Sequence, residues 1–253
     1  MLCRKSLNRV KAVVLALTIA GFAGLGVSSA SAAPVPLPAG ATLTTLIGLN
    51  ASGGIQIGNL VYSDFSYVPT TFDPSNPTPS ASQVSVTTAS GAFGANSGLT
   101  FNTLWESIPG GNQDAIIRYA VQAISGTINE VGLAFNGAAP FPSTGTFATV
   151  TETISALITS TNPFSPGAAL GTLTAANSSS SGTGTNSGPL ILNPGQTGVY
   201  VSKDIGVVSG PNGIATISFV DNTYQFVGVP EPASFSMLGM VGAGLLARRR
   251  RVI

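Results

Sequence analysis

The feature that most limits what this chain can fold into is an alternation of apolar and polar residues with a period of two. Ile117, Tyr119, Val121 and Ala123 fall on one side of a run whose other side carries Arg118 and Gln122. The rhythm recurs where Leu99, Phe101, Thr103 and Trp105 oppose Thr100, Asn102 and Glu106, and where Val131, Leu133 and Phe135 oppose Glu130 and Gly132. Val199, Val201, Ile205 and Val207 share a side that Lys203 interrupts, and Ile217 with Phe219 opens a last run. Along Val61, Ser63, Phe65 and Tyr67 one face is mostly apolar, with Asp64 and Ser66 on the other; Tyr62 is then expected to project outward. Side chains that alternate faces belong to strands, and the β-branched and aromatic content agrees.

Breaker clusters separate these runs: Pro69 to Pro79, Pro109-Gly110-Gly111-Asn112, Asn136-Gly137, Asn193-Pro194-Gly195 and Ser209 to Gly213. No long 3.6-residue pattern appears; the best helical candidate, Ala148 to Ile158, is rich in threonine and β-branched residues and fits a strand better. The low-complexity stretch Asn177 to Ser187 reads as a mobile loop. No internal repeat of fixed period is present, which disfavours a propeller or solenoid. The expectation is one all-β domain over residues 33–228, an antiparallel β-sandwich or jelly roll.

Composition removes whole classes of chemistry. With no histidine in 253 residues, Ser-His-Asp hydrolysis, imidazole base catalysis and His-ligated metals are excluded. The net charge of +1 conceals an uneven distribution. Eight of the ten basic residues are Arg4, Lys5, Arg9 and Lys11 at one end and Arg248, Arg249, Arg250 and Arg251 at the other. Residues 33–229 hold Arg118 and Lys203 against eight acids, so 2 − 8 = −6. Nucleic acid is thus not an expected partner of the body, because phosphate neutralisation requires clustered Lys and Arg.

The two ends read as targeting segments. A basic stretch to Lys11, an apolar run from Ala12 to Val27 and small residues around Ala30 and Ala32 have the order of a secretory signal peptide, residues 1–32, cleaved after Ala32. Cys3 would leave with it, and the mature chain would hold no thiol. At the other end, Val229-Pro230-Glu231-Pro232 precedes an apolar stretch, Ala233 to Ala247, and then four arginines. As a helix these 15 residues reach about 22 Å, short of the roughly 30 Å hydrocarbon core, a mismatch that snorkelling arginines reduce. The arginine cluster favours a cytoplasmic end.

Residues 229–253 resemble the PEP-CTERM sorting domain of bacterial surface proteins: Val229, Pro230, Glu231 and Pro232 match its motif, the apolar stretch its single membrane helix, and Arg248 to Arg251 its basic end. The resemblance implies recognition by an exosortase-type processing enzyme, transient membrane anchoring, and association with exopolysaccharide and biofilm matrix at the cell surface. It says nothing about the body.

In the body, carboxylates are the acid/base groups present in number. A glycoside hydrolase requires two of them facing each other across a sugar, and Glu106, Asp114, Glu130 and Glu152 form the pool, each with a plainer role as a turn cap, solvent-facing side chain or partner of Arg118. Calcium is the metal the composition suits: Asp73-Pro74-Ser75-Asn76, Asn112-Gln113-Asp114 and Asp221-Asn222 are oxygen-rich, but none has the spacing of a D-x-D-x-D-G loop, and Asx turns are the commoner explanation. No cofactor is expected. For glycan stacking the candidates are Tyr62 and Trp105, with Tyr67, Tyr200 and Tyr224 behind them; Trp105 falls on its strand's apolar face, where core packing is the commoner role. The leading expectation is a non-enzymatic exported protein with a structural or adhesive role; the alternatives are a carbohydrate-binding module contacting exopolysaccharide and, third, a carboxylate-based hydrolase.

Overall fold

The computed structural model describes residues 33–89, 97–141, 143–161, 163–178, 185–186 and 188–228. The expected signal peptide with Ala30 and Ala32, and the tail from Val229 through Pro230, Glu231, Pro232 and Arg248 to Arg251, lie outside the described residues.

The chain runs β1 (Val35–Pro36), α1 (Leu43–Gly48), β2 (Ile55–Ile57), β3 (Leu60–Thr71), β4 (Ser85–Ala89), β5 (Ser97–Ser107) and β6 (Asn112–Ala123). It continues through β7 (Thr127–Phe141), β8 (Phe147–Ile158), β9 (Ser165–Asn177), β10 (Thr185–Asn186), β11 (Leu190–Gln196), β12 (Gly198–Val208) and β13 (Ile214–Val227). Two sheets result, of order β1-β2-β3-β6-β12-β8-β9-β10 and β11-β7-β13-β5-β4. The β1–β2 pair is parallel and the other ladders antiparallel. Their inner faces share one apolar core, and Tyr119 of β6 meets Tyr224 of β13 across it, hydroxyl to hydroxyl at 2.9 Å. This is the all-β, two-sheet architecture that the alternation requires.

Several local expectations are corrected. Tyr62 does not project outward: it is fully buried, its ring 5.9 Å from that of Tyr224 in the facing sheet. The reason is a β-bulge. Ser63 pairs with Ala120 and Ser66 with Arg118, so Asp64 and Phe65 together oppose Tyr119. One extra residue inverts the parity of the strand, so Tyr62 before the bulge and Phe65 after it both point inward. Asp64 takes the strain, with a φ of 54°. Asn50 pins the bulge by accepting from the Phe65 N–H and donating to its carbonyl, both at 2.9 Å.

Three breaker clusters sit inside strands. Pro69 is within β3, opposite Ala115 of β6 and past the end of the β2 ladder, so a strand pairs with β3 there on one side alone. Asn136-Gly137 lie within β7 at a ladder irregularity opposite Ile217 and Phe219; a Cβ on Gly137 would collide with the Phe135 ring. Asn193-Pro194-Gly195 interrupt the β11 ladder between Ile191 and Gln196 without ending the strand. A short helix was not expected: α1 is opened by a Thr42/Thr45 capping box and buries Leu43 and Leu46. Within the low-complexity stretch, Thr185–Asn186 pair with Ala175 and Ala176; residues 179–184 and 187 lie outside the described set.

Inside the core stands a charged group. Glu152 of β8 and Lys203 of β12 are direct cross-strand partners, both fully buried, and they form an ion pair. Asn222, from β13 in the other sheet, donates its amide N–H to Glu152 Oε1 at 2.6 Å. Desolvation holds the Lys203 ammonium below the usual lysine range, against the opposing pull of Glu152.

Candidate ligand-binding face

The outer face of the eight-stranded sheet is built from the residues that alternate with this core, and register places them in rows. One row runs Ser66, Arg118, Ser202, Thr153, Thr172 across β3, β6, β12, β8 and β9. The next runs Val68, Ile116, Asp204, Thr151, Thr174, and the one beyond it Thr70, Asp114, Gly206, Thr149, Ala176. On the other side of the Arg118 row lie Ser63, Ala120, Tyr200, Ser155 and Ala169. The face is thus dominated by short hydroxyl side chains, with one guanidinium, one phenol ring and two carboxylates among them.

One end of the face is roofed. The β8–β9 ladder shifts register between Ile154 and Ser155 and again between Ser155 and Leu157, and such irregularities bend a hairpin. Its tip delivers the Phe164 N–H to Asp64 Oδ2 at 3.0 Å. With β6 and β12 between β3 and β8, that tip spans about 14 Å of sheet. The burial pattern agrees: Ser63, Ala120 and Ser155 point outward, yet retain only 8%, 0% and 7% of their exposure. Tyr200 stands in the same row but stays partly exposed. Its hydroxyl pKa is raised, chiefly by burial, with Asp64 adding to and Arg118 opposing the shift.

Asp114 and Asp204 sit on adjacent strands two residues out of register. Burial first, then the neighbouring Asp204 carboxyl, pushes Asp114 up to about 6. Among the described residues, Arg118 is in no ion pair; the pair present there is Glu152 with Lys203.

The other sequence candidates are dispersed. Trp105 is fully buried in the core, and Tyr62, as described above, is buried with it, so neither presents a face to a glycan. Glu152 is in the core rather than on a surface. Glu106 and Glu130 flank β13 opposite Thr216 and Gln225, about 30 Å apart along the strand. Asp114 belongs to the other sheet, but the β5–β6 connection brings Glu106 near it, the Glu106 N–H donating to Gln113 Oε1 at 3.0 Å. Asp73 accepts from the Ser75 N–H and hydroxyl at 2.8 and 2.7 Å, an Asx turn, which lowers its pKa. Among the described residues no three His, Cys, Asp or Glu side chains converge, and no helix is long and apolar enough to cross a membrane. The Tyr200–Arg118 pairing was missed because its partners lie 82 positions apart in sequence; outward-facing Arg118 was the available signal.

No protein-family model matches the chain, and no curated protein matches it. Among solved structures it is similar to TmCBM61, determined in complex with beta-1,4-galactotriose, at 8% identity over 64% of this chain and 90% of that one, with a TM-score of 0.31. It is also similar to the enzymatically active domain of bacteriophage CBA120 tailspike protein 4, at 16% identity over 65% of this chain and 20% of that one, with a TM-score of 0.23. At such scores the backbones overlap too loosely for either likeness to carry an argument about this chain.

Proposed function

We propose that this is an exported surface or matrix protein, sorted through its PEP-CTERM-like tail, whose body binds a neutral polysaccharide on the outer face of the eight-stranded sheet. The observation that carries the reading is Arg118, without an ion partner among the described residues, beside the half-exposed Tyr200 ring on a hydroxyl-lined surface. A phenol ring stacks on the apolar face of a pyranose while guanidinium donors and carboxylate acceptors take its hydroxyls. Asp64, Asp114 and Asp204 outnumber Arg118 there, and the body carries −6, so an acidic polysaccharide is repelled. Binding is favoured over hydrolysis because burial and the neighbouring Asp204 carboxyl raise the Asp114 pKa, an arrangement unlike two carboxyls held about 5 Å or more apart across a sugar.

Affinity electrophoresis of the exported chain tests this, with galactan, β-glucan, mannan and, as the acidic comparison, alginate in the gel. Retardation is expected in a neutral polysaccharide and not in alginate, and Arg118→Ala or Tyr200→Ala should abolish it, while Ile191→Ser on the other sheet should not. Unchanged retardation in both face variants, or none in any neutral gel, overturns the assignment. Replacing Pro230, Glu231 and Pro232 with alanine in an exosortase-bearing host tests sorting separately: unaltered surface processing would refute it.

A further inference from the structure

We propose that Lys203 and Asn222 join in an intramolecular isopeptide bond, with Glu152 as its acid–base catalyst. The inference is independent of polysaccharide binding and rests on three side chains. Lys203 and Asn222 both contact the Glu152 carboxyl, one at each oxygen: Lys203 Nζ at Oε2, and Asn222 Nδ2 at Oε1. All three are fully buried, among Tyr119, Tyr224 and the apolar core. Lys203 is one of two cations in residues 33–229, and it occupies the position in β12 where the alternation calls for an aliphatic side chain. Burying an ion pair seldom increases stability over an apolar replacement, so a lysine placed here requires a role of its own.

The chemistry balances without an external reactant. In a water-free core, transfer of a proton from the ammonium to Glu152 leaves a neutral amine and a carboxylic acid, the less costly pair. The direction of the Lys203 shift accords with that. The Nζ lone pair adds to Asn222 Cγ and, with the amide turned about its Cβ–Cγ bond, the Glu152 acid donates to Oδ1 and stabilises the developing oxyanion. The adduct then loses the Cγ–Nδ2 bond as Glu152 relays the proton of the attacking nitrogen to the departing Nδ2. One C–N bond forms and one breaks, no redox change occurs, and the proton taken from the Lys203 ammonium stays on Glu152 as the neutral acid when ammonia leaves, or departs with it as ammonium. Asn222 Oδ1 is a buried acceptor without a partner among the described residues, so nothing there competes for the oxygen that must become an oxyanion.

The bond would tie β12 in one sheet to β13 in the other, closing the segment between residues 203 and 222. A body whose natural thiol precedes residue 33 has no disulfide with which to do this. Because proteolysis and mechanical load act on opened states, a covalent inter-sheet link suits a protein exposed outside the cell.

Peptide mapping of the exported wild-type chain decides the matter. Expected are a branched peptide joining the Lys203 and Asn222 segments, lighter than its two parts by one ammonia, and resistance of Lys203 to trypsin in the denatured protein. Glu152→Gln, which keeps the side-chain shape, should yield the two linear peptides, and Asn222→Asp should link with loss of water in place of ammonia. A wild-type map with only linear peptides and cleavage at Lys203 overturns the proposal whatever the variants do, and a bond that still forms in Glu152→Gln overturns the role of Glu152.

Discussion

Replacing Asp114 with asparagine should make the protein more stable at neutral and alkaline pH and leave it unchanged in acid. Asp114 ionises at 3.8 when unperturbed and at about 6 in the fold. The folded state therefore binds the proton more tightly than the unfolded chain, and stability falls as pH rises from about 4 to about 6. Below that window both states are protonated and the group contributes nothing; above it the full penalty is present. At about 1.4 kcal/mol per pKa unit the ceiling is about 3 kcal/mol. The side chain is only partly withdrawn from water, so screening reduces this to about 1 kcal/mol. The introduced amide carries no charge for burial or the Asp204 carboxylate to oppose. Urea unfolding of the wild type and Asp114→Asn from about pH 3.5 to pH 8 should give a difference near zero at the acid end, rising through pH 5 to about 1 kcal/mol, or about 2–4 °C in Tm. A difference that is flat across this range, or a variant less stable at pH 8, would refute the reading that burial and the Asp204 carboxyl disfavour the Asp114 charge in the fold.

Three other perturbations probe the scaffold. Tyr119→Phe leaves the buried Tyr224 hydroxyl without its 2.9 Å partner and should cost about 1–3 kcal/mol in urea unfolding, whereas Tyr119→Phe with Tyr224→Phe should recover part of that loss. Gly98→Ala drives a Cβ into the Asn222 carbonyl oxygen, so a loss of at least ~3 kcal/mol or failure to fold is expected, read by circular dichroism and solubility. Asp64→Ala removes the acceptor of the Phe164 N–H and leaves a side chain poorly suited to a φ of 54°. Hydrogen exchange at Phe164 should accelerate by about tenfold or more, while Asp64→Asn, which tolerates the left-handed region, should show a smaller effect.

The alternation was enough to find most strands because burial on one face of a sheet leaves a period of two in the residues themselves. Ala148 to Ile158 is a case in point: threonines on one side and Ala148, Val150 and Ile154 on the other became β8. What alternation cannot reveal is a place where it is broken by design. The two-for-one pairing of Asp64 and Phe65 against Tyr119 inverts β3, and it depends on Asn50, a residue outside the strand, to hold Phe65 in place. Tyr62 was assigned to solvent for that reason. Turn composition misled in a related way: Pro69 is tolerated where β3 has outrun β2 and keeps β6 as its strand neighbour, and Gly137 is where the Phe135 ring lies over the backbone. The candidate face was legible only in part, since Arg118 and Tyr200 come together through the β6–β12 ladder and not through any local motif.

The distribution of charge links these observations. Residues 33–229 carry two cations, and the fold gives them opposite environments: Arg118 on an outer face without an ion partner among the described residues, Lys203 sealed between sheets against the Glu152 carboxyl, which also accepts from the Asn222 amide. Arginine stays charged in either place, so it suits a solvent-facing donor to hydroxyls. Lysine is the cation whose proton burial can remove, and the neutral amine that results is a nucleophile. Interchanging them would spoil both sites: a guanidinium in the core would remain a charge to be compensated, and an ammonium on the face would lack the planar fork. Absence of histidine and of a thiol after residue 32 therefore argues against imidazole and thiolate chemistry, but not against reactivity, because burial can activate an amine with nothing more than the adjacent carboxyl.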